Sequence, residues 1–261
     1  RYAEAKSVYD EVLRGRPLLW ARIGLAKVAI EEKQYSIAEP ILQEILKHNP
    51  LCLPAYDLLA DIFVATRRKK AAQEMLFEAV SHSPRAIQRH VRLGELCMEN
   101  QDYEVATEAF RNATEHGEQS VYQNANNYLN FARCLHETST TLERTLRFSR
   151  SDEALGAINR AQNRYGEEDT VGFQSNMIKA RIHKTCEQED KAQQALTEAQ
   201  EFYLMIASEL PPTMAMEYAQ TLYTLNKDDD AELVLKQLSA LHGNNEELNK
   251  KIEALRDEPV S

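Results

Sequence analysis

The 261-residue chain has 28% charged residues, 8 Gly, 8 Pro and a formal net charge of −10, a composition typical of a helix-rich globular protein. The acidic excess argues against binding to nucleic acid, which depends on clustered positive charge. No apolar run approaches the roughly 18 residues that a membrane span needs, and no leader-like segment opens the chain, so we expect a cytoplasmic protein without membrane contact. The four cysteines lack CxxC spacing, which favours reduced thiols.

Residues 1–17 have the pattern of the second helix of a helical hairpin. Apolar residues recur at helical spacing, a proline follows them, and the same arrangement returns at residues 35–50. The matching positions are Tyr2, Ala5, Tyr9, Val12 and Pro17 in the first copy and Tyr35, Ala38, Leu42, Ile45 and Pro50 in the second. Because the chain opens halfway through a hairpin and has no initiator Met, we expect it to be a piece of a longer protein.

Residues 18–120 carry the clearest repeats. Ala38, Ala72 and Ala106 are each 34 residues apart, and so are Pro50 and Pro84. This period is typical of stacked helix–turn–helix units. Small residues let the helices of a hairpin approach closely, and proline ends the second helix because it lacks an amide hydrogen and clashes with the preceding turn. The pattern predicts three regular hairpins in residues 18–120.

The rest of the chain repeats less regularly. Residues 121–166 form a hairpin in which the step between small residues, Ala132 to Ala154, has grown from 12 residues to 22. The insertion lies near residues 138–150, and its Thr- and Arg-rich sequence fits either a flexible loop or a short extra helix. Residues 167–245 are two degenerate hairpins, the first with a long second helix that ends before Pro211. Residues 246–261 are a capping helix and tail with an apolar stripe at Leu248, Ile252 and Leu255.

The repeats resemble those of the tetratricopeptide family. The clearest copy consists of Tyr56, Leu59, Ala60, Phe63, Ala72, Leu76, Ala79 and Pro84, and the next contains Leu93, Gly94, Cys97, Ala106, Phe110 and Ala113. The resemblance implies an all-α fold, a right-handed superhelical solenoid of antiparallel helix hairpins. It also implies that the first helix of each hairpin lines a concave face.

Several strings in residues 17 to 135 resemble a narrower family. They begin at Trp20 (WARIGLAK), Leu53 (LPAYD), Ala79 (AV followed by PR at 84–85) and Arg92 (RLGEL). Such strings are similar to the C-terminal tetratricopeptide region of bacterial two-component response regulators, which carry a receiver domain ahead of the repeats. The resemblance implies an output module that binds a protein under the control of upstream phosphorylation. The receiver is not in this sequence, so none of its residues can be assigned.

Residues that could support catalysis or hold a metal do not form a recognisable set. No phosphate-binding, nucleophile-elbow or HExxH motif occurs. His183 and Cys186 are one helical turn apart but lack a second pair of ligands. The run at 228–230 (three Asp) falls where a helix starts and favours capping. The basic run at 67–70 falls at a hairpin turn, where solvation, an acidic partner or contact with the missing domain would explain it. The sequence therefore predicts no enzyme activity, no catalytic residue, no cofactor and no metal.

The resemblance selects candidate partner-binding residues on the concave face. They are Trp20, Ile23, Lys27, Asp57, Asp61, Glu95, Met98, Asn126, Leu129, Arg133, Met177, Arg181 and Lys184. This face is acidic early and basic late, which suits an extended or helical peptide, although ordinary surface variation would give the same split. Trp20, the sole tryptophan, is either an interface anchor or packs at the junction of the first two hairpins.

These observations favour a protein-interaction scaffold that forms the partner-binding region of a bacterial signalling response regulator. The partner is a protein or peptide, with a signalling protein among the candidates and a homodimer left open. The alternative is an adaptor or chaperone-like assembly factor for envelope or secretion machinery. An export signal or membrane anchor upstream would distinguish it.

Overall fold

The computed structural model describes residues 1–117, 119–242 and 245–257, and these residues form helices connected by turns, with no strand. The helices of the described chain are α1 (Tyr2–Gly15), α2 (Leu19–Glu31), α3 (Tyr35–His48), α4 (Leu53–Ala65), α5 (Lys69–His82), α6 (Ile87–Glu99), α7 (Tyr103–His116), α8 (Ala125–Ser139), α9 (Arg144–Tyr165), α10 (Asp169–Thr185), α11 (Glu189–Ile206), α12 (Pro212–Thr224), α13 (Asp228–His242) and α14 (Glu246–Asp257). The all-α prediction is confirmed.

Successive helices pair as hairpins. The closest packing joins α2 to α3, α4 to α5, α6 to α7, α8 to α9, α10 to α11 and α12 to α13, while α1 packs on α2. The chain divides into two compact units, unit 1 at Arg1–Gln123 and unit 2 at Asn124–Ser261. The division follows the longer connection between His116 and Ala125, since four residues suffice between His82 and Ile87.

The hairpin turns repeat in atomic detail. Lys33, Arg67 and Gln101 lie 34 residues apart and all have φ near +60°, and Glu187 and Asn226 do the same in unit 2. In each turn the residue after the left-handed one donates its amide to a carbonyl five residues back, for example Arg68 N to Phe63 O at 2.7 Å. This hydrogen bond satisfies a carbonyl at the helix end and reverses the chain.

Close approach inside each hairpin depends on small residues, as predicted. Ala38, Ala72 and Ala106 have no exposed surface. A Cβ added to Gly94 would lie 2.6 Å from the ring of Phe110, so any larger residue there would displace that ring. The 34-residue period therefore reflects the close packing of the two helices in each hairpin.

The insertion near residues 138–150 forms neither a flexible loop nor a separate helix. It lengthens the hairpin: α9 has 22 residues where α3, α5 and α7 have 14, and only residues 140–143 separate it from α8. Phe148 and Arg147 are half-buried, and Arg147 donates to the carbonyl of Leu142 at 3.1 Å. Because these residues find partners on the hairpin itself, the added sequence extends the helix.

The C-terminal part of unit 2 contains a long second helix and a final short helix. Helix α11 has 18 residues and ends ahead of Pro211. Helix α14 buries Leu248 and Ile252 and packs on α12 and α13. Residues 243–244 of the predicted hairpin region and the predicted tail at 258–261 lie outside the described residues, as does residue 118.

Candidate partner-binding surface

In unit 1 the first candidate partner-binding residues lie on α2. Trp20 is 55% exposed, and its ring meets the ring of Tyr9 edge to face with 6.1 Å between centroids. One edge of Trp20 packs on α1, and the rest of the side chain faces solvent. Ile23 is half-buried and Lys27 is exposed on the same helix. These residues leave an apolar surface beside a positive charge.

The acidic residues of α4 are paired with arginines of α6. Arg89 donates to both carboxylate oxygens of Asp57, at 3.1 and 2.7 Å, and Arg92 donates to Asp61. The predicted acidic segment is therefore largely neutralised by the next hairpin. The sequence alone did not show these pairs, because the partners are about one repeat apart and meet only when neighbouring hairpins stack.

A cavity of about 370 Å³ opens beside these pairs. Its lining comes from Asp57, from the start of α6 with Arg85, Arg89 and Arg92, and from Ser120 and Tyr122 in the following connection. Arg85 is exposed and has neither a hydrogen bond nor an ion pair within the described ranges. With two of the three guanidinium groups held by aspartates, Arg85 supplies the uncompensated positive charge. The sequence analysis missed this residue.

The other two predicted residues of unit 1 lie further along α6. Glu95 is exposed, yet partial desolvation raises the pKa of its carboxyl group above the ordinary value. Met98 is half-buried. Both positions are accessible to a partner, as the repeat pattern predicts.

A larger cavity of about 570 Å³ lies between α5 and α7, on the second helices of two hairpins. Three of its polar side chains bond to one another: Gln73 donates to Asp102 at 2.6 Å and accepts from Asn100 at 2.8 Å. Lys70 and Glu74 also line it and are exposed. We place the candidate site at the 370 Å³ cavity, because that cavity contains Asp57 and lies on the first helices that the repeat pattern predicts to face a partner.

In unit 2 the prediction is wrong for two of the apolar residues. Leu129 and Met177 are completely buried, so neither can contact a partner. Helix α10 packs against α8, α9, α11 and α12, which covers the face that the repeat pattern leaves open. Apolar side chains at these positions therefore join the core. Asn126, at the start of α8, is exposed.

The basic residues predicted for unit 2 are engaged in bonds within the unit. Arg133 of α8 donates to Glu217 of α12 at 2.9 Å and to Gln174 of α10 at 3.1 Å, so it ties three first helices together. Arg181 pairs with Glu137 at 2.6 Å. Lys184 pairs with Glu189 at 2.8 Å. The predicted basic segment is therefore a set of structural ion pairs.

The residues that the sequence analysis considered for metal binding have other contacts or positions in the structure. His183 bonds to Gln188 at 2.8 Å, and the buried Cys186 donates to Ser151 at 3.2 Å. Asp228 begins α13, where its negative charge meets the positive end of the helix dipole. Across the described ranges no cluster of three His, Cys, Asp or Glu residues could hold a metal ion.

The basic run at residues 67–70 links neighbouring hairpins of unit 1. Arg68 reaches back to Glu39 of α3 with two hydrogen bonds, at 3.0 and 2.6 Å, and its guanidinium lies 4.3 Å from the ring centre of Phe63. The bonds from Arg68 lower the pKa of Glu39. Lys69 reaches forward to Glu99 at 2.9 Å. Part of this run thus stabilises the stack.

No protein-family model matches the chain, and comparison with curated proteins finds no match. Solved structures do match. A tetratricopeptide repeat protein from Parabacteroides merdae has a TM-score of 0.57 at 13% identity, over 97% of this chain and 91% of that one. TTC0263, a tetratricopeptide repeat protein of Thermus thermophilus, has a TM-score of 0.57 at 14% identity, over 78% of this chain and 98% of that one. The fold is a tetratricopeptide-repeat solenoid.

PilW, described as a widely conserved type IV pilus biogenesis factor, is also similar, with a TM-score of 0.53 at 18% identity over 88% of this chain and 96% of that chain. Identities this low concern the fold alone. Within the described residues no helix has both the length and the apolar character needed to cross a membrane.

Proposed function

We propose that this protein is a non-catalytic interaction scaffold that binds a peptide or protein segment along α2, α4 and α6 of unit 1. The observation that carries the proposal is the 370 Å³ cavity with the unpaired Arg85 at its edge. Stacked hairpins of this fold present a continuous surface for extended ligands.

The chemistry of the surface indicates what the bound segment contains. A carboxylate of the partner would pair with Arg85, since the other two arginines of the cavity are already neutralised by Asp57 and Asp61. An apolar side chain would contact the exposed edge of Trp20, because large aromatic residues are frequent interface anchors. The proposed partner segment is therefore acidic with an apolar anchor.

The biological setting that we propose is bacterial signalling in the cytoplasm. Support comes from the resemblance of residues 17 to 135 to the repeat region of response regulators. In that setting, a receiver domain elsewhere in the protein would control access to the unit 1 surface, and the partner would be another signalling protein.

The second candidate is an adaptor that assembles envelope or secretion machinery. Support comes from the likeness of the fold to PilW, which is described as a type IV pilus biogenesis factor. This candidate uses the same unit 1 surface and differs in the identity of the partner.

The proposal is tested by affinity capture from bacterial lysate with wild-type protein and three variants. Arg85→Glu reverses the cavity charge, and Trp20→Ala removes the apolar anchor. Arg67→Glu is the matched control, because Arg67 is an exposed arginine in a turn whose counterpart in unit 2 is Glu187.

We expect a partner that is retained by wild type and by Arg67→Glu and is lost with Arg85→Glu and Trp20→Ala. A retained kinase or other signalling enzyme favours the first setting, and retained envelope or secretion components favour the second. Equal retention by all variants, or none by wild type, would contradict the unit 1 surface.

A further inference from the structure

A second candidate binding surface is formed within unit 2, by helices other than those of the proposed site. Between the end of α11 and the end of α13 there is an apolar cavity of about 360 Å³. Its apolar walls are Tyr203, Ala207, Leu210, Leu238, Ala240 and Leu241, which together we name the α11–α13 groove.

Large apolar side chains of the groove and of the helix next to it face solvent. Leu241, which lines the groove, is 62% exposed, and Leu204 and Met205, near the end of α11, are 74% and 62% exposed. Leu204 and Met205 lie three and four residues after Glu201 and therefore share one face of α11 with it. Contiguous exposed apolar surface marks interaction sites.

Two of the polar side chains that line the groove satisfy each other. The hydroxyl of Tyr203 donates to Gln237 at 3.0 Å. Ser208 and His242 are the other polar side chains of the lining, and the remaining walls are apolar, so burial of apolar surface would drive binding. The volume lies at the small end of the range for ligand pockets, which is roughly 300–1,000 Å³, so it suits one anchoring side chain better than a long segment.

The charges around the groove define the flanks of the occupant. Glu201 and Glu209 of the α11 region are exposed and have no hydrogen-bonded side-chain partner or ion pair among the residues described. The groove itself is lined by one titratable side chain that can be cationic, His242, and Lys236 of α13 is exposed. Most of the net charge of −10 also lies in unit 2. A positively charged segment is therefore attracted to this surface.

We propose that the α11–α13 groove binds a basic peptide segment of a partner protein, with one large apolar side chain in the cavity and Lys or Arg residues beside Glu201 and Glu209. This inference is independent of the unit 1 site, which takes an acidic segment.

The test is a selection from a random peptide library displayed on phage, with wild-type protein as the bait. Ala240→Leu serves for counter-selection, because Ala240 is exposed at its surface and a larger side chain there occupies the groove without replacing a core residue. Leu241→Gln is the second variant, and thermal unfolding verifies that both remain folded. Leu233→Gln is the control, since Leu233 is an exposed leucine of α13 that does not line the groove.

We expect wild type to enrich peptides with a large apolar residue flanked by Lys or Arg. A labelled peptide with the enriched sequence should bind about tenfold more weakly to Ala240→Leu and to Leu241→Gln, and equally well to Leu233→Gln and to Arg85→Glu. Glu201→Gln together with Glu209→Gln should weaken binding and reduce its dependence on salt.

Three results would overturn the proposal. One is the absence of enriched peptides, and another is enrichment of peptides without basic residues. The third is a dimer of wild type, seen by light scattering, that Ala240→Leu converts to a monomer, since the groove would then hold a second copy of the chain. Loss of library binding in Arg85→Glu alone would assign the selected peptides to the unit 1 site.

Discussion

Unit 1 and unit 2 are built from the same hairpin and use it differently. In unit 1 the three hairpins have helices of 13 and 14 residues, with a left-handed residue at every 34th position. In unit 2 the second helices reach 22 and 18 residues, and the α8–α9 turn has no left-handed residue among the residues described. In unit 1, where the repeat length is constant, the predicted surface residues stay accessible. In unit 2, where the second helices are longer, two of the predicted surface residues, Leu129 and Met177, are buried.

The largest expected difference between the units concerns two methionines that were both predicted to face a partner. Met177→Ala in unit 2 empties a fully buried site and should reduce the free energy of unfolding by about 2–5 kcal/mol. Met98→Ala in unit 1 removes a half-buried side chain and should cost less, about 1 kcal/mol. Denaturant unfolding of both variants measures this, and equal losses would contradict the burial of Met177.

Close packing within hairpins should be shared by both units. Ala106→Leu in unit 1 and Ala192→Leu in unit 2 each insert a bulky side chain at a completely buried position, so each should lower stability by about 1–3 kcal/mol. Thermal unfolding of the two variants gives the comparison. An unchanged melting temperature in either would refute the assignment of that alanine to the hairpin interface.

Acid should destabilise unit 2 through His136. Burial, assisted by the positive charge of Arg181, lowers the pKa of His136 to about 3. The unfolded chain binds this proton near the ordinary pKa of about 6.5, so stability falls as the pH drops from that value toward 3, by at most roughly 1.4 kcal/mol per pH unit.

Burial also lowers the pKa of His90 in unit 1, and the hydrogen bond of Nε2 to the carbonyl of Pro84, at 2.8 Å, partly offsets the shift, with a smaller contribution from Glu108. We therefore expect a smaller loss from His90. Denaturant unfolding at a series of pH values from 7 to 4 gives the slope of the free energy of unfolding against pH. His136→Leu should abolish most of this slope, and His90→Leu should abolish less of it. An unchanged slope in His136→Leu would show that this histidine does not cause the loss of stability in acid.

The smallest predicted effect concerns the turns. Lys33→Gly should stabilise unit 1 by about 0.5–1 kcal/mol, because glycine adopts φ near +60° without the steric cost that lysine has. Thr141→Gly in the α8–α9 turn should instead be slightly destabilising, since glycine there only adds freedom to the unfolded chain. Thermal unfolding distinguishes the two, and stabilisation by Thr141→Gly would mean that the turns are equivalent.

The repeat pattern predicted the hairpins because it reports local spacing. Ala38, Ala72 and Ala106 are buried, and Pro50 and Pro84 lie just beyond the ends of α3 and α5. Helix formation and the fit between two consecutive helices depend on residues within one repeat, so a single sequence contains the necessary information.

The candidate site was only partly predictable. Trp20 and Lys27 were placed on an accessible surface, but the pairing of Asp57 with Arg89 spans two hairpins and was missed. Arg85 was missed as well, because its importance rests on having no partner while neighbouring arginines are paired. Whether a charged side chain has a partner depends on residues of several helices, and it produces no periodic pattern in the sequence.

The sequence by itself thus determined the all-α hairpin repeat, the positions of its tight contacts and the lack of a recognisable catalytic motif. The tertiary structure decided which of the first-helix side chains stay free. Leu129 and Met177 are buried by helices that pack around α8 and α10, and Arg133 is held by Glu217, a residue 84 positions away. Exposure and charge pairing depend on neighbours that are distant along the chain, and only the packed hairpins bring those neighbours together.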